Sequence, residues 1–297
     1  MLLPRPLTPG SAVRVVAPSS PFDVRLLWRG LGWLAERYEV RFERAIFAVD
    51  GYLAGSDEAR CSALQAALTE PDVLAVLCAR GGYGASRYAH RIDWSQLRAA
   101  PRWLVGFSDV TALHVEIARQ GVASIHGCNV TALGRSDACT RSALVATLEG
   151  PDRPRCFDGL ATLVPGKAAG TLFGGNLAML HACAVAGRLT LPADCVLFIE
   201  EVGERPYRMD RMLTTLMVGG HLASVAGVVV GELVGCEPKT RGVNLDVMLA
   251  QRFAELGVPV ARGLPAGHGR ANEPLVLGAP ARLVAEPGGA HLALFGS

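Results

Sequence analysis

Strand-like and helix-like stretches alternate through roughly the first 130 residues, and this alternation restricts the fold more than any other feature. Ala12 to Ala17 is a short apolar strand ending in Pro18-Ser19-Ser20-Pro21. Arg25 to Tyr38 reads as a helix and Glu39 to Arg44 as a strand. Asp57 to Thr69 is an amphipathic helix with Leu64, Ala67 and Leu68 on one face. Val73 to Cys78 is apolar enough for a buried strand and runs straight into Arg80-Gly81-Gly82-Tyr83-Gly84. After a further helix, Trp103-Leu104-Val105 leads into Gly106-Phe107-Ser108-Asp109, a helix from Thr111 to Gln120, and a strand from Val122 to Ile125. Strands alternating with helices imply a parallel sheet covered on both faces. Ligands on such sheets bind beyond the carboxyl ends of the strands, where the Gly-rich loop and Ser108 both fall.

The fold class expected is α/β. Residues 1–148 form a doubly wound, flavodoxin-like parallel-sheet domain. Residues 149–169 are rich in Pro, Gly and charge and read as a linker. Residues 170–297 form a strand-rich α/β domain, with strands at Val196 to Glu200, Val225 to Val230, Val258 to Ala261, Pro280 to Ala285 and His291 to Phe295. Helices there run from Asn176 to Ala186 and from Arg208 to Val218. A length of 297 residues suits two domains.

Composition narrows the function. Half the residues are hydrophobic, and a net charge of +2 gives no nucleic-acid footprint. The most apolar run, Leu222 to Gly231, is about half the length that spans a bilayer. The segment Met1-Leu2-Leu3-Pro4-Arg5-Pro6 has no apolar core and breaks at prolines, so no export leader is expected. The 8 cysteines are scattered without a C-x-x-C pair. That pattern suits free thiols in a reducing cytoplasm rather than a disulfide framework. Cys128 and Cys183 lie near candidate site segments.

Ser108 sits where a nucleophile elbow would place it, between a strand and a helix. Such a turn exposes the hydroxyl and aims backbone N–H groups and the helix dipole at one spot. The match to G-x-S-x-G is loose, because Val110 occupies the second glycine position, and the same residues suit an ordinary strand-to-helix turn. The Gly-rich loop fits neither G-x-x-x-x-G-K-[ST] nor G-x-G-x-x-G. A glycine N–H there beside Ser108 suits an oxyanion better than a phosphate. Glu200 and Glu201 follow the apolar run Val196-Leu197-Phe198-Ile199, and one of the two is expected to be solvated. His268 is flanked by glycines in an exposed loop, and His126 competes with it as a candidate base. No metal or other cofactor is expected. H-E-x-x-H is missing, and His114-Val115-Glu116 imitates the deaminase H-x-E without the accompanying P-C-x-x-C.

The segments together resemble the S66 family of serine peptidases, the L,D-carboxypeptidases. The resemblance starts at Ala17-Pro18-Ser19-Ser20-Pro21 and Gly51-Tyr52-Leu53-Ala54-Gly55-Ser56-Asp57. It is most specific at Ala79-Arg80-Gly81-Gly82-Tyr83-Gly84 and at Gly106-Phe107-Ser108-Asp109-Val110-Thr111-Ala112-Leu113-His114. It continues through His126-Gly127, Gly174-Gly175-Asn176-Leu177, Ile199-Glu200-Glu201, Pro206-Tyr207-Arg208-Met209-Asp210-Arg211-Met212-Leu213 and Gly267-His268-Gly269. The chain departs from the family at Cys128, where a proline is usual, and at Ala186-Gly187-Arg188.

What the resemblance implies is a Ser-His-Glu triad of Ser108, His268 and Glu200, with backbone N–H groups of Gly82 and Asp109 as the oxyanion hole. The nucleophile would lie on the first domain and its base and orienting carboxylate on the second, with the site in a cleft between them. The expected substrate is a murein tetrapeptide that loses its terminal D-Ala in the cytoplasm. Arg80, Arg205 and Arg211 are candidates to bind the substrate carboxylate. A homodimer is expected, with no nucleic-acid or membrane partner. The alternatives are a microcin-immunity-type peptidase of the same clan, which would need a stacking aromatic, and a non-catalytic small-ligand binder with Ser108 as a helix cap.

Overall fold

The computed structural model describes residues 1–238 and 244–295, so residues 239–243 and the last two positions of the expected second domain lie outside the description. The chain forms two units. Met1–Pro151 with Glu273–Val276 make the first, and Asp152–Asn272 with Leu277 onward make the second.

The first unit is built on strands β1 (Ala12–Val16), β2 (Glu39–Arg41), β3 (Val73–Cys78), β4 (Trp103–Gly106) and β5 (Ser124–His126). Their order is β2-β1-β3-β4-β5, and each neighbouring pair is parallel. This is the flavodoxin-like order, whose switch point lies between β1 and β3. β4 is buried throughout and β3 at all but one position, as strands covered on both faces must be. The helix Asp57–Thr69 starts where expected because the Ser56 hydroxyl accepts from Ala59 N–H, with Asp57 and Glu58 in its first turn. Between the Gly-rich loop and β4 the structure has two short 3-10 turns and the one-turn helix Gln96–Ala99 in place of one longer helix. A late segment, β11 (Leu275–Leu277), forms the edge of this sheet beside β5. Only three residues long, it carries no periodic signal.

The second unit is a closed barrel of β6 (Arg155–Val164), β7 (Gly166–Asn176), β8 (Cys195–Val202), β9 (Val225–Val234), β10 (Val260–Arg262), β12 (Pro280–Glu286) and β13 (Gly289–Leu294). The order is β10-β6-β13-β12-β7-β8-β9, with parallel pairing along β7-β8-β9-β10 and antiparallel pairing elsewhere. The expected linker at 149–169 is therefore corrected: most of it is β6 and the start of β7. Its glycines mark bends rather than disorder, since Gly159 and Gly166 take positive φ values of 72° and 149°. β8 is buried along all but its last residue. The helix Leu177–Val185 packs on β7 and β8, and the helix Pro206–Val218 packs on that helix. All eight cysteines are free thiols, and burial pushes Cys195 up to about 12. Among the described residues no helix is long and apolar enough to cross a membrane.

Candidate active site

The first unit gathers three loops at the carboxyl ends of β1, β3 and β4. Ser108 follows β4 with φ +68°, a left-handed backbone rare for a residue with a side chain. A short turn from Ser108 to Val110 then feeds the helix Thr111–Arg119. This is the geometry of a nucleophile elbow, and it places Ser108 half-buried at the tip. Behind it, Asn129 Oδ1 accepts from Phe107 N–H at 3.3 Å. His114 is fully buried, bridging the Gly106 carbonyl from Nε2 at 2.9 Å and the Ser124 hydroxyl from Nδ1 at 2.8 Å. Burial lowers its pKa to about 4, so it is a neutral structural strut that fixes the end of β4. His126 is also fully buried, with its ring edge-on to Phe107 at 5.9 Å.

The Gly-rich loop lies directly against the elbow. A Cβ on Gly81 would come within 2.9 Å of both the Phe107 carbonyl oxygen and Ser108 Cβ. Gly82 has φ +101°, and a Cβ there would meet Ser20 Oγ at 2.5 Å. Only glycine accepts both the conformation and the approach. Ser20, after β1, braces the loop: its N–H donates to the Gly81 carbonyl at 3.2 Å and its hydroxyl accepts from Tyr83 N–H at 3.1 Å. Asp109, which is 1% exposed, ties the loop from the other side, accepting from Ala85 N–H at 2.8 Å. Burial raises its pKa, against the opposing pull of the Ser19 side chain, of the Ala85 and Gly84 N–H groups and of Arg60. Arg60 is itself buried and donates to the Pro18 carbonyl at 2.8 Å, with its guanidinium over the Tyr88 ring. The side chain of Asp109 thus explains its place beside Ser108, a role that its sequence position alone did not reveal.

Gly81→Ala is expected to displace the elbow, because the Phe107 carbonyl and the Ser108 Cβ, which moves only with its backbone, cannot yield cheaply. With Ser108 as the nucleophile that the family resemblance implies, turnover should fall about 100-fold, the cost of a misplacement of about 1 Å at that group. Steady-state kinetics alongside a melting curve checks this; unchanged kinetics would mean that the loop does not constrain Ser108.

The second unit carries its own constellation. Glu200 and Glu201 lie near the end of β8, and adjacent strand residues point to opposite faces. Both are buried, at 0% and 2% exposure, so the expectation that one is solvated is corrected. Glu201 faces the helical layer, accepting from Asn176 Nδ2 at 2.9 Å, Ala178 N–H at 2.8 Å and Val202 N–H at 2.8 Å. Asn176 in turn caps that helix through Met179 N–H. Burial raises the Glu201 pKa, and these three donors oppose the rise. The Gly-Gly-Asn-Leu and Ile-Glu-Glu segments are therefore one device that starts a helix.

Glu200 faces the other way, toward His268. His268 Nδ1 donates to Glu200 Oε2 at 2.6 Å. Burial alone would lower the imidazole pKa, but the Glu200 hydrogen bond and the charges of Glu200, Glu201 and Glu232 prevail and raise it. The loop bearing His268 is held by side chains at both flanking glycines. Gly267 N–H donates to Asn272 Oδ1 at 3.0 Å, and Gly269 N–H donates to the Glu232 carboxylate. Neither Asn272 nor Glu232 was singled out from the sequence. A polar residue within the apolar β9 is the only signal Glu232 offered.

The three candidate arginines sit apart from these clusters' hydrogen bonds. Arg80 is exposed and donates to the Pro21 carbonyl. Arg205 is exposed at the start of the helix Pro206–Val218, and Arg211 is exposed on that helix, where its charge helps burial lower the pKa of His181. Tyr52 and Tyr83, loop aromatics not singled out from the sequence, are exposed with ring centroids 5.9 Å apart, and Tyr83 adjoins Gly82. Among the described residues no group of three or more His, Cys, Asp or Glu side chains is arranged to hold a metal ion.

A flavodoxin-like unit with a serine elbow, followed by a barrel carrying a His–Glu pair, defines a class of two-unit α/β proteins with solved members. The crystal structure of muramoyltetrapeptide carboxypeptidase from Oxalobacter formigenes superposes with a TM-score of 0.86 at 29% identity, covering 95% of this chain and 98% of that one. The LD-carboxypeptidase N-terminal domain profile matches residues 13–127 and the LD-carboxypeptidase C-terminal domain profile matches residues 169–283. A Streptomyces coelicolor protein bearing a carboxypeptidase name is 40% identical over 297 aligned residues, covering 97% of this chain and 95% of that protein. Murein tetrapeptide carboxypeptidase of Pseudomonas aeruginosa is 32% identical, covering 88% and 89%. The chain belongs to the LD-carboxypeptidase family, peptidase family S66.

Proposed function

We propose that this protein is a serine L,D-carboxypeptidase that releases the terminal D-Ala from murein tetrapeptides, acting in the cytoplasm as a homodimer. The observation that most supports this reading is the His268–Glu200 pair, which fixes the Nδ1–H tautomer and leaves Nε2 the basic nitrogen. Ser108 Oγ attacks the carbonyl before D-Ala and passes its proton to His268 Nε2. The oxyanion forms against the N–H groups of Gly82 and Asp109, donors that need no reorganisation as charge develops. His268 then protonates the leaving amine, and D-Ala departs. Water, deprotonated by the same imidazole, hydrolyses the acyl-enzyme. The substrate carboxylate pairs with a cation, for which Arg80, Arg205 and Arg211 are the candidates.

Mass spectrometry of L-Ala-γ-D-Glu-meso-diaminopimelate-D-Ala incubated with wild type and with Ser108→Ala tests the proposal. Loss of one alanine with wild type alone is expected. An intact peptide in both would overturn the substrate assignment. Cleavage of an aminoacyl nucleotide in a parallel incubation would then give the site to the immunity-type activity, with Tyr52 and Tyr83 as the stacking surface.

The reaction's pH dependence follows from the imidazole. His268 must be neutral to accept a proton, and its carboxylate neighbours raise its pKa above the ordinary value. The acid limb of kcat/KM should therefore have its midpoint above about 6.5. A midpoint below that value would remove His268 from the role of base.

A further inference from the structure

We propose that Glu232 is a positioning residue for His268, clamping the loop that carries the imidazole through Gly269 N–H and placing a negative charge behind it. This rests on the assignment of His268 as the base.

The geometry is specific. Glu232 lies near the end of β9, and its backbone N–H donates to the Ala266 carbonyl at 3.0 Å, so the strand is joined to the loop just before His268. Its half-buried carboxylate accepts from Gly269 N–H, just after His268. One residue therefore grips the loop on both sides of the imidazole. A Cβ on Gly269 would run into that carboxylate, so the approach depends on glycine. Glu200 holds the ring by its Nδ1, while Glu232 holds the backbone beneath it.

The carboxylates that raise the His268 pKa come from two strands, Glu200 and Glu201 from β8 and Glu232 from β9, while its own loop adds the exposed Arg270. Glu201 is committed to the helix cap and Glu200 to the ring. Glu232 is the one of the three whose charge can be removed without dismantling either. Burial raises the pKa of Glu232, Gly269 N–H opposes this, and Glu200 and His268 act on it in opposite directions.

Glu232→Gln and Glu232→Ala separate charge from clamp. The amide of Glu232→Gln can still accept from Gly269 N–H but carries no charge. Its His268 titration midpoint, followed by NMR of the labelled imidazole in the full chain, should fall below that of wild type. The acid limb of kcat/KM on the tetrapeptide should move down with it, leaving the plateau within about twofold. Glu232→Ala should also lose amide-exchange protection at Gly269 and about tenfold in kcat with KM nearly unchanged, the pattern of a misplaced catalytic group. Unchanged titration and unchanged Gly269 protection in both variants would overturn the proposal. If wild type releases no D-Ala but the midpoint still falls in Glu232→Gln, the peptidase reading fails and the clamp stands.

Discussion

Ser108→Ala is expected to lose about a million-fold in turnover on the murein tetrapeptide while folding as wild type does. The loss corresponds to about 8 kcal/mol of transition-state stabilisation at roughly 1.36 kcal/mol per decade. Folding should survive because alanine and serine tolerate the left-handed backbone at φ +68° about equally, and Ser108 is only half-buried. The braces around the elbow come from Asn129, His114, Ser20 and the side chain of Asp109, none of which needs the hydroxyl. His268→Ala should cost a similar factor, and the double variant little more, since members of such a unit fail together. Single-turnover release of D-Ala measures this, with circular dichroism to confirm the fold. Near-normal turnover by Ser108→Ala would show that the elbow is structural.

Glu200→Gln should cost less but still heavily, at about 10⁴-fold in kcat, with KM close to wild type. The argument is tautomeric. The buried carboxylate can only accept, so it demands a proton on His268 Nδ1 and leaves Nε2 as the base. An amide can donate instead, and a ring that accepts at Nδ1 carries its proton on Nε2, where it cannot act as a base. The replacement is nearly isosteric, which matters because Gly267 and Gly231 press close to Glu200 Cβ, at 3.0 and 3.4 Å from their own would-be Cβ positions. A fall in kcat without loss of the melting transition separates this effect from damage to the barrel. Turnover within tenfold of wild type would mean that Glu200 does not orient the imidazole.

Much of the candidate site was legible because its residues lie where strands end and glycines crowd. Gly81, Gly82, Ser108, Glu200 and His268 all follow apolar runs or sit between glycines, and chain order exposed them. The parallel sheet was legible for the same reason, since its strands are followed by helices except between β3 and β4, where short turns take the place of the helix expected there. The barrel was not. Its closure joins β6 to both β10 and β13, partners about a hundred residues or more away, and no local pattern encodes pairing at that separation. The segment 149–169 read as a linker because glycine, proline and charge mark loops on average, whereas here they shape a half-exposed strand. One of Glu200 and Glu201 was expected in solvent because a strand's last residues usually meet it, and both are buried. Glu201 stays buried because its carboxylate accepts from Ala178 N–H at the start of the helix packed there. Glu232 and Asn272 act on backbone N–H groups of a loop that only the folded barrel brings to them.

The left-handed conformation of Ser108 also limits which hydroxyl the site can use. Threonine carries the same functional group, but its branched Cβ is poorly tolerated at positive φ. Cysteine, unbranched and nearly the same size, meets no such barrier. At this elbow the backbone, before any chemistry, therefore favours a thiol over a secondary alcohol as a replacement for serine.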